Sequence, residues 1–231
     1  MTLLAVDCAT NACSAALWVG GGPGPRRYEA MRRGHAEALL PMVRAVMDEA
    51  GIAFSDLHAI AVTTGPGAFT GIRIGLAAAR GFALAACLPL VGITTLEAVA
   101  AAQDSGDAYL LVALDSKRAD VYVQLFAPDG AAVTTPASAM PGEIAALLPE
   151  GRAVAIAGDA ADPVAAVLAG RAPEPRRLDG PDLPDAAVVA RLAARRLAES
   201  QPGPDTPPPP ALYLRPPDAI PAAQRRAGRP R

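Results

Sequence analysis

Gly65-Pro-Gly-Ala-Phe-Thr-Gly-Ile-Arg-Ile-Gly75 is the stretch that decides the fold, because it joins a buried strand to a helix. The apolar run at residues 58–64 predicts the strand, and the pattern at residues 70–87 predicts the helix. The glycine-rich loop is neither G-x-x-x-x-G-K-[ST] nor G-x-G-x-x-G, since Thr70 stands where the third glycine belongs. A strand, a tight loop and a helix in this order indicate an α/β protein.

Strands and helices continue on both sides of this stretch. A polar loop is predicted at residues 20–25, and a helix at residues 35–50, where Pro41 either kinks the helix or forces it to begin near Leu40. The other predicted strands of this first lobe lie at residues 3–6, 14–19, 28–31 and 90–93.

A second, smaller lobe is predicted from residue 104. Its hairpin pairs residues 108–114 with 120–126, and it continues with a helix at 141–148, a strand at 154–157, a helix at 160–169 and a surface loop at 170–184. We therefore expect two lobes built on ribonuclease-H-like sheets, at residues 1–103 and 104–217, the second truncated. A helix at residues 185–198 either belongs to the second lobe or packs back on the first, and the Arg-rich tail 218–231 is expected to be disordered.

Composition and charge exclude several classes of protein. The chain has 231 residues, of which 52% are hydrophobic and 19% charged, so a folded core is expected. The net charge of −2 gives no overall attraction to nucleic acid or membranes. The longest apolar run, residues 82–93, is too short to span a bilayer. The N-terminus lacks the basic region of a signal peptide, and three cysteines are an odd number, so we expect a reduced cytoplasmic protein.

The residues that usually hold metals or act as nucleophiles are few. His35 and His58 are the only histidines, and they are too far apart for an H-E-x-x-H site. Cys8 and Cys13 are separated by four residues, whereas structural zinc sites usually separate them by two. No base lies near either thiol in the sequence, so we predict buried structural cysteines, no metal and no catalytic residue.

A polar turn after the first strand is the one candidate for phosphate contact. Asp7 and Thr10 stand where a phosphate turn is placed in sugar-kinase-like proteins, but Ala9 replaces the usual glycine. The only candidate for a second phosphate loop, Gly158-Asp159, has no glycine cluster. We therefore predict a vestigial phosphate turn at Asp7 and Thr10, and no cofactor.

The helix after the glycine-rich loop has one face with almost no side chains. Each glycine inside a helix costs about 1 kcal/mol relative to alanine, so something must approach this face closely. Either the helix is held between its own sheet and a neighbouring element, or one of its sides meets a second protein; the helix at residues 35–50, with Leu39, Met42, Val43 and Met47, would share that surface. The small residues fall at steps of four: Gly71, Gly75, Ala79, Ala83 and Cys87.

Several motifs resemble one known family. The most specific is Gly-Pro-Gly-x-Phe-Thr-Gly-x-Arg at residues 65–73. The others, in chain order, are residues 4–17, residues 33–41, Gly-Ile-Thr-Thr-Leu-Glu-Ala at residues 92–98, the turn after Leu114-Asp115, and Leu-Tyr-Leu-Arg at residues 212–215. Together they resemble TsaB proteins, which are subunits of the bacterial machinery that makes threonylcarbamoyladenosine in tRNA.

The resemblance implies an actin-like and sugar-kinase-like (ASKHA) fold and a role without catalysis. A TsaB protein pairs with its paralogue TsaD, which transfers threonylcarbamoyl to the adenosine beside the anticodon, or with itself when TsaD is absent. The ATPase TsaE supports turnover, and contact of TsaB with tRNA would be mainly indirect. Carried onto this sequence, the pairing surface is expected at His35, Leu39, Met42, Val43, Gly71, Ile72, Gly75, Leu76, Ala79 and Ala83.

This interface hypothesis predicts that Gly75→Leu or Ala79→Arg abolishes pairing and leaves the chain folded. Two other functions stay open from the residues alone. One is an enzyme, either a nucleotide-dependent kinase or a glycoprotease-like hydrolase. The other is direct tRNA binding by the arginines of residues 215–231.

Overall fold

The computed structural model describes residues 1–200, 203 and 206–215 and contains two five-stranded sheets. The predicted disordered tail at 218–231 lies outside the described residues. The elements of the first half are β1 Leu3–Asp7, β2 Ala12–Val19, β3 Gly22–Ala30, α1 His35–Ala50, β4 Ala59–Thr63, α2 Phe69–Ala86, β5 Leu90–Ile93 and α3 Thr95–Ala100. Those of the second half are β6 Tyr109–Asp115, β7 Val121–Phe126, β8 Ala137–Ala139, β9 Val154–Ala157, α4 Ala161–Val167, β10 Arg176–Arg177 and α5 Ala186–Ser200.

The two sheets repeat one topology. The first sheet has the order β3-β2-β1-β4-β5, in which β1, β2 and β3 are antiparallel and β4 and β5 run parallel to β1. The second sheet has the order β8-β7-β6-β9-β10 with the same pattern of antiparallel and parallel pairs. The alternation of strands and helices in the sequence therefore predicted the α/β class correctly.

Helices cover both faces of the first sheet. Because side chains alternate along a strand, Leu4 and Val6 of β1 face the core beneath α1 and α2, while Leu3 and Ala5 face α5. Helix α5 follows the second sheet in the chain and packs against β1 and β2 of the first. It begins directly after Asp185, whose carboxylate accepts a hydrogen bond from the Ala187 N–H at 2.9 Å.

The starts of β3 and α2 differ from the sequence prediction, whereas the start of α1 agrees with it. Strand β3 begins at Gly22, so most of the predicted loop at residues 20–25 is strand; an edge strand tolerates Pro23 and Pro25 because one side of its backbone has no partner strand. Helix α1 runs from His35 to Ala50, as predicted, and includes Pro41, so the alternative start near Leu40 is wrong. Helix α2 begins one residue early, at Phe69.

The second half contains short elements that the sequence did not reveal. Strands β8 and β10 have three and two residues, too few to show a periodicity. The predicted surface loop at 170–184 contains β10 and the buried Leu178, whose N–H donates to the carbonyl of Ile156 at 2.9 Å. The helix predicted at 141–148 is a 3₁₀ helix at Pro141–Leu147, and α4 is shorter than predicted.

Helix α2 is long and apolar enough to cross a membrane by length and composition alone. In this fold it is a core helix, because its small and branched residues lie in the hydrophobic core against β1 and β4. About 33% of the helix is buried, and its hydropathy alone is weak evidence for a membrane span.

Candidate functional site

A cleft of about 590 Å³ lies between the two lobes. The turn between β1 and β2 forms one wall, and the turn between β6 and β7 forms the other. The segment 207–215, called the strap below, contributes its last four residues to the lining. The polar residues that line the cleft are Thr10, Asn11, Asp115, Ser116, Lys117, Arg118, Tyr122, Asp159, Tyr213 and Arg215.

Asp7, predicted to belong to a phosphate turn, is fully buried behind that turn. Its Oδ1 accepts hydrogen bonds from the Thr63 hydroxyl at 2.5 Å and the Ala9 N–H at 3.1 Å, while its Oδ2 has no hydrogen-bond partner among the described residues. Burial raises the pKa of Asp7 to about 7, and the nearby charge of Asp185 contributes in the same direction. Asp7 holds the turn together and does not line the cleft, whereas Thr10 does.

The glycine-rich loop packs directly on this turn. The Ala68 N–H donates to the carbonyl of Ala9 at 2.7 Å, and a Cβ on Gly67 would lie 2.1 Å from the same oxygen. His35 Nε2 lies 2.9 Å from the carbonyl oxygen of Thr10. The glycine at position 67 therefore allows the loop to approach the turn, and the backbone oxygens of the turn are used within the protein.

On the opposite wall the charged groups form ion pairs. Lys117 Nζ lies 2.7 Å from Asp115 Oδ2, and the Arg215 guanidinium pairs with Asp120. The Asp159 carboxylate accepts from the Asp115 N–H at 2.8 Å, and burial raises the pKa of Asp159. Lys117 and Arg215 are thus neutralised by carboxylates of the second lobe.

Gly158, the sequence candidate for a second phosphate loop, has a packing role. A Cβ at this position would lie 2.1 Å from the carbonyl oxygen of Ala113, so only glycine lets the chain pass β6 here. Within the part of the chain that the structure describes, no three His, Cys, Asp or Glu side chains come together as a metal site.

The state of Asp7 predicts how stability depends on pH. Because the pKa of about 7 in the folded state exceeds the ordinary 3.8, the folded chain binds this proton more tightly. The stabilisation of the folded state by this proton is complete below pH 3.8 and is lost as the pH rises through 7. Between these two values the free energy of unfolding falls by about 1.4 kcal/mol per pH unit.

We expect the free energy of unfolding of the parent, relative to Asp7→Asn, to fall by about 2–3 kcal/mol between pH 5 and pH 8. Urea titrations of both proteins at the two pH values measure it. A difference between the two proteins that stays constant with pH would contradict the buried proton on Asp7.

Helices α1 and α2 lie side by side on the first sheet, and most of the residues predicted to pair with a partner point into it. A Cβ on Gly71 would lie 2.0 Å from the carbonyl oxygen of Cys8, so the glycine face of α2 rests on the chain's own β1–β2 turn. The predicted interface residues that are buried in this core are Leu39, Val43, Gly71, Ile72, Gly75, Leu76, Ala79 and Ala83.

Of the two alternatives that the sequence left open for this glycine face, the structure shows the first: the face is covered by the chain's own turn and sheet. A regular spacing of small residues shows that something lies close, but not whether it belongs to the same chain. Of the predicted interface residues only His35 and Met42 are partly exposed. Gly75→Leu and Ala79→Arg would disturb the core, so they cannot serve as surface probes. The assignment of the pairing surface to these two helices stays a prediction.

The outward side of the same helices carries features that sequence reasoning missed. Leu40 of α1 is 56% exposed and Leu84 of α2 is 81% exposed. Gly81 is exposed, and a Cβ there would meet no atom of the described part of the chain within 4 Å. Gly81 does not belong to the series of small residues that are spaced four apart in α2. Its position outside that series was the feature of the sequence that could have indicated an exposed glycine.

Comparisons with known proteins agree on one family. Residues 21–165 match the family model described as TsaD: tRNA N6-adenosine threonylcarbamoyltransferase. The tRNA threonylcarbamoyladenosine biosynthesis protein TsaB of Escherichia coli (strain K12) is 41% identical over 124 residues, which are 53% of this chain and 53% of that protein. An uncharacterized protein of Mycobacterium tuberculosis is 36% identical over 231 residues, 96% of this chain and 95% of that protein.

A solved structure extends the likeness over nearly the whole chain. YeaZ from Pseudomonas aeruginosa superposes with a TM-score of 0.77 at 32% identity, covering 92% of this chain and 99% of that one. Two lobes of one topology around a cleft define a two-lobed α/β protein, as the sequence predicted. Within that class, the chain belongs to the TsaB family. The chain matches about half the length of the TsaB proteins of Escherichia coli and Haemophilus influenzae.

Proposed function

We propose that this chain is a non-catalytic subunit in the biosynthesis of threonylcarbamoyladenosine in tRNA, where it pairs with a TsaD-type threonylcarbamoyltransferase and activates it. Membership of the TsaB family supports the pathway. The observation that supports pairing with TsaD is an exposed surface of small and apolar residues on the outward side of α1 and α2. This surface, called the outer face below, consists of Leu40, Ala77, Gly81, Leu84 and Ala85.

Gly81 is the most informative residue of the outer face. A glycine inside a helix costs about 1 kcal/mol relative to alanine. Gly71 returns that cost through close packing within the chain, whereas none of the residues that the structure describes comes within 4 Å of a Cβ at Gly81. A partner backbone or side chain that fits against Gly81 would explain why a side chain is missing there.

Leu84, one turn after Gly81 on α2, is a second residue that indicates an interface on the outer face. An apolar side chain that is 81% exposed gains nothing from the fold of its own chain. Leu40 on helix α1, which contacts α2, is also apolar and exposed, so a partner helix could pack against apolar side chains of both helices.

The other assignments belong to the same proposal. The chain would form a homodimer through the outer face when TsaD is absent, and would join TsaE in the larger assembly. Its contact with tRNA would be mainly indirect, and it would act in the cytoplasm without a bound cofactor.

Reconstitution of the reaction tests the scaffold role. We expect purified TsaD, TsaE, threonylcarbamoyl-AMP and tRNA to give modified tRNA only when this chain is added, because TsaD would lack a competent assembly without it. Mass spectrometry of tRNA nucleosides measures the product.

The controls separate the scaffold role from its alternatives. This chain alone should modify no tRNA and hydrolyse no ATP, and heat-denatured chain should not replace it in the complete mixture. Full modification without the chain would overturn the scaffold role, while ATP hydrolysis by the chain alone would favour the kinase alternative.

A further inference from the structure

The strap crosses from one lobe to the other at the mouth of the cleft. On the first lobe, the Leu212 N–H donates to the carbonyl of Thr64 at 2.8 Å, and the Arg80 guanidinium donates to the carbonyl of Pro209 at 3.0 Å. Tyr213 stacks on Phe69 with ring centroids 5.1 Å apart. The strap is thus fixed to the first lobe by backbone, cationic and aromatic contacts.

Two glycines of the first lobe make room for the strap. A Cβ on Gly92 would lie 2.6 Å from Cβ of Pro209, and a Cβ on Gly65 would lie 2.8 Å from the carbonyl oxygen of Leu212. Gly65 also has a φ of 105°, which a residue with a side chain rarely adopts. The first lobe is therefore shaped to hold the strap at this position.

The end of the strap is anchored in the second lobe. Leu214 packs against the hydrophobic core between α3 and the second sheet. The Arg215 guanidinium pairs with the Asp120 carboxylate, which also accepts hydrogen bonds from the hydroxyls of Ser116 and Ser138. The side chain of Asp120 is 7% exposed, so this ion pair is screened little by solvent.

The two chain segments that lead into and out of the second sheet meet at a different place. Residues 101–108 lead from α3 to β6, and residues 178–185 lead from β10 to α5. These two crossovers touch, because Gln103 Nε2 donates to the carbonyl of Pro181 at 2.7 Å. The strap borders the main cleft, whereas the first crossover borders a second cavity that includes Gln103 and Gly106.

We propose that the strap is a latch that holds the two lobes closed around the main cleft, with the touching crossovers as the hinge. Its two anchors are the backbone bond from Leu212 to Thr64 on one lobe and the ion pair of Arg215 with Asp120 on the other. Loss of either anchor releases the lobes to rotate about the hinge. This device is independent of the proposed function, because it concerns the isolated chain.

Spin labels on the two lobes test the latch in the full-length chain. Cys87 is exposed on the first lobe, and Asp129→Cys adds a second site on the second lobe, while Cys8 and Cys13 are buried. We expect one narrow distance distribution in this labelled parent. Arg215→Gln removes the ionic anchor, and Leu212→Pro removes the N–H donor of the other anchor. Both should broaden the distribution toward other separations of the lobes.

Hydrogen exchange gives a second measurement and a check on folding. With Arg215→Gln we expect the Leu212 amide to exchange roughly tenfold faster, while the amides of β1 and β4 stay protected. Arg215→Lys keeps the charge and should largely restore protection. Arg152→Gln is the matched control, because it removes an arginine of the same lobe that lies over Tyr109.

The outcomes decide the proposal. Broadened distributions in both anchor variants, with a protected first sheet, support the latch. Distributions that match the parent in both variants overturn it, and so does broadening in only one of them, since a latch needs both anchors. A similar broadening in Arg152→Gln would also overturn it, because the effect would not be specific to the strap.

Discussion

Gly71→Ala is expected to destabilise the protein by about 3 kcal/mol or more, and Gly81→Ala is expected to stabilise it by about 1 kcal/mol. The two glycines lie in the same helix, yet a Cβ at Gly71 would lie 2.0 Å from the backbone oxygen of Cys8 and one at Gly81 would meet nothing within 4 Å. At Gly71 the backbone of α2 or of the β1–β2 turn must move. At Gly81 only the conformational cost of glycine is removed.

Urea unfolding followed by circular dichroism measures both changes in free energy. Ala79→Arg is a further variant of the buried side, and it should unfold the chain because a guanidinium would enter a fully buried position. Equal effects of alanine at positions 71 and 81 would contradict the assignment of one glycine to the core and the other to the surface.

The second prediction with a large effect concerns the outer face. We expect Leu84→Arg to weaken pairing with TsaD at least roughly 30-fold, which corresponds to about 2 kcal/mol, the loss typical of a central interface residue. The double variant Leu40→Glu with Leu84→Arg should abolish co-purification and tRNA modification. The fold should be unchanged, because both side chains already face solvent.

Isothermal titration calorimetry with TsaD measures the affinity, and thermal unfolding checks the fold. Val133→Arg is the matched control, because Val133 is a 50% exposed apolar side chain of the second lobe. Wild-type affinity in Leu84→Arg would exclude the outer face as the pairing surface. An equal loss in Val133→Arg would show that the effect comes from added charge rather than from this face.

Many elements of the fold could be read from the sequence because local patterns determine them. The apolar runs of β1, β4 and β9 and the hairpin of β6 and β7 follow from strand periodicity and turn residues. The Gly-Pro-Gly block marked the start of α2 to within one residue. The shortest strands, β8 and β10, were missed because three and two residues are too few to show a strand periodicity.

The candidate site was less accessible to sequence reasoning. Thr10 was correctly placed at the turn, but the burial of Asp7 behind it depends on Thr63, which is 56 residues away. The strap had no visible role in the sequence, because its partners Thr64 and Asp120 lie in two different lobes. Contacts of this kind leave no periodic pattern.

The sequence by itself determined the order and type of most elements, the family resemblance and the special character of one face of α2. Only the tertiary structure decided what covers that face. The spacing of Gly71 and Gly75 requires a close neighbour, and helical geometry is the same whether that neighbour is the chain's own β1–β2 turn or another protein. Packing against β1 and β4 settled the choice, and it left Gly81 and Leu84 on the surface.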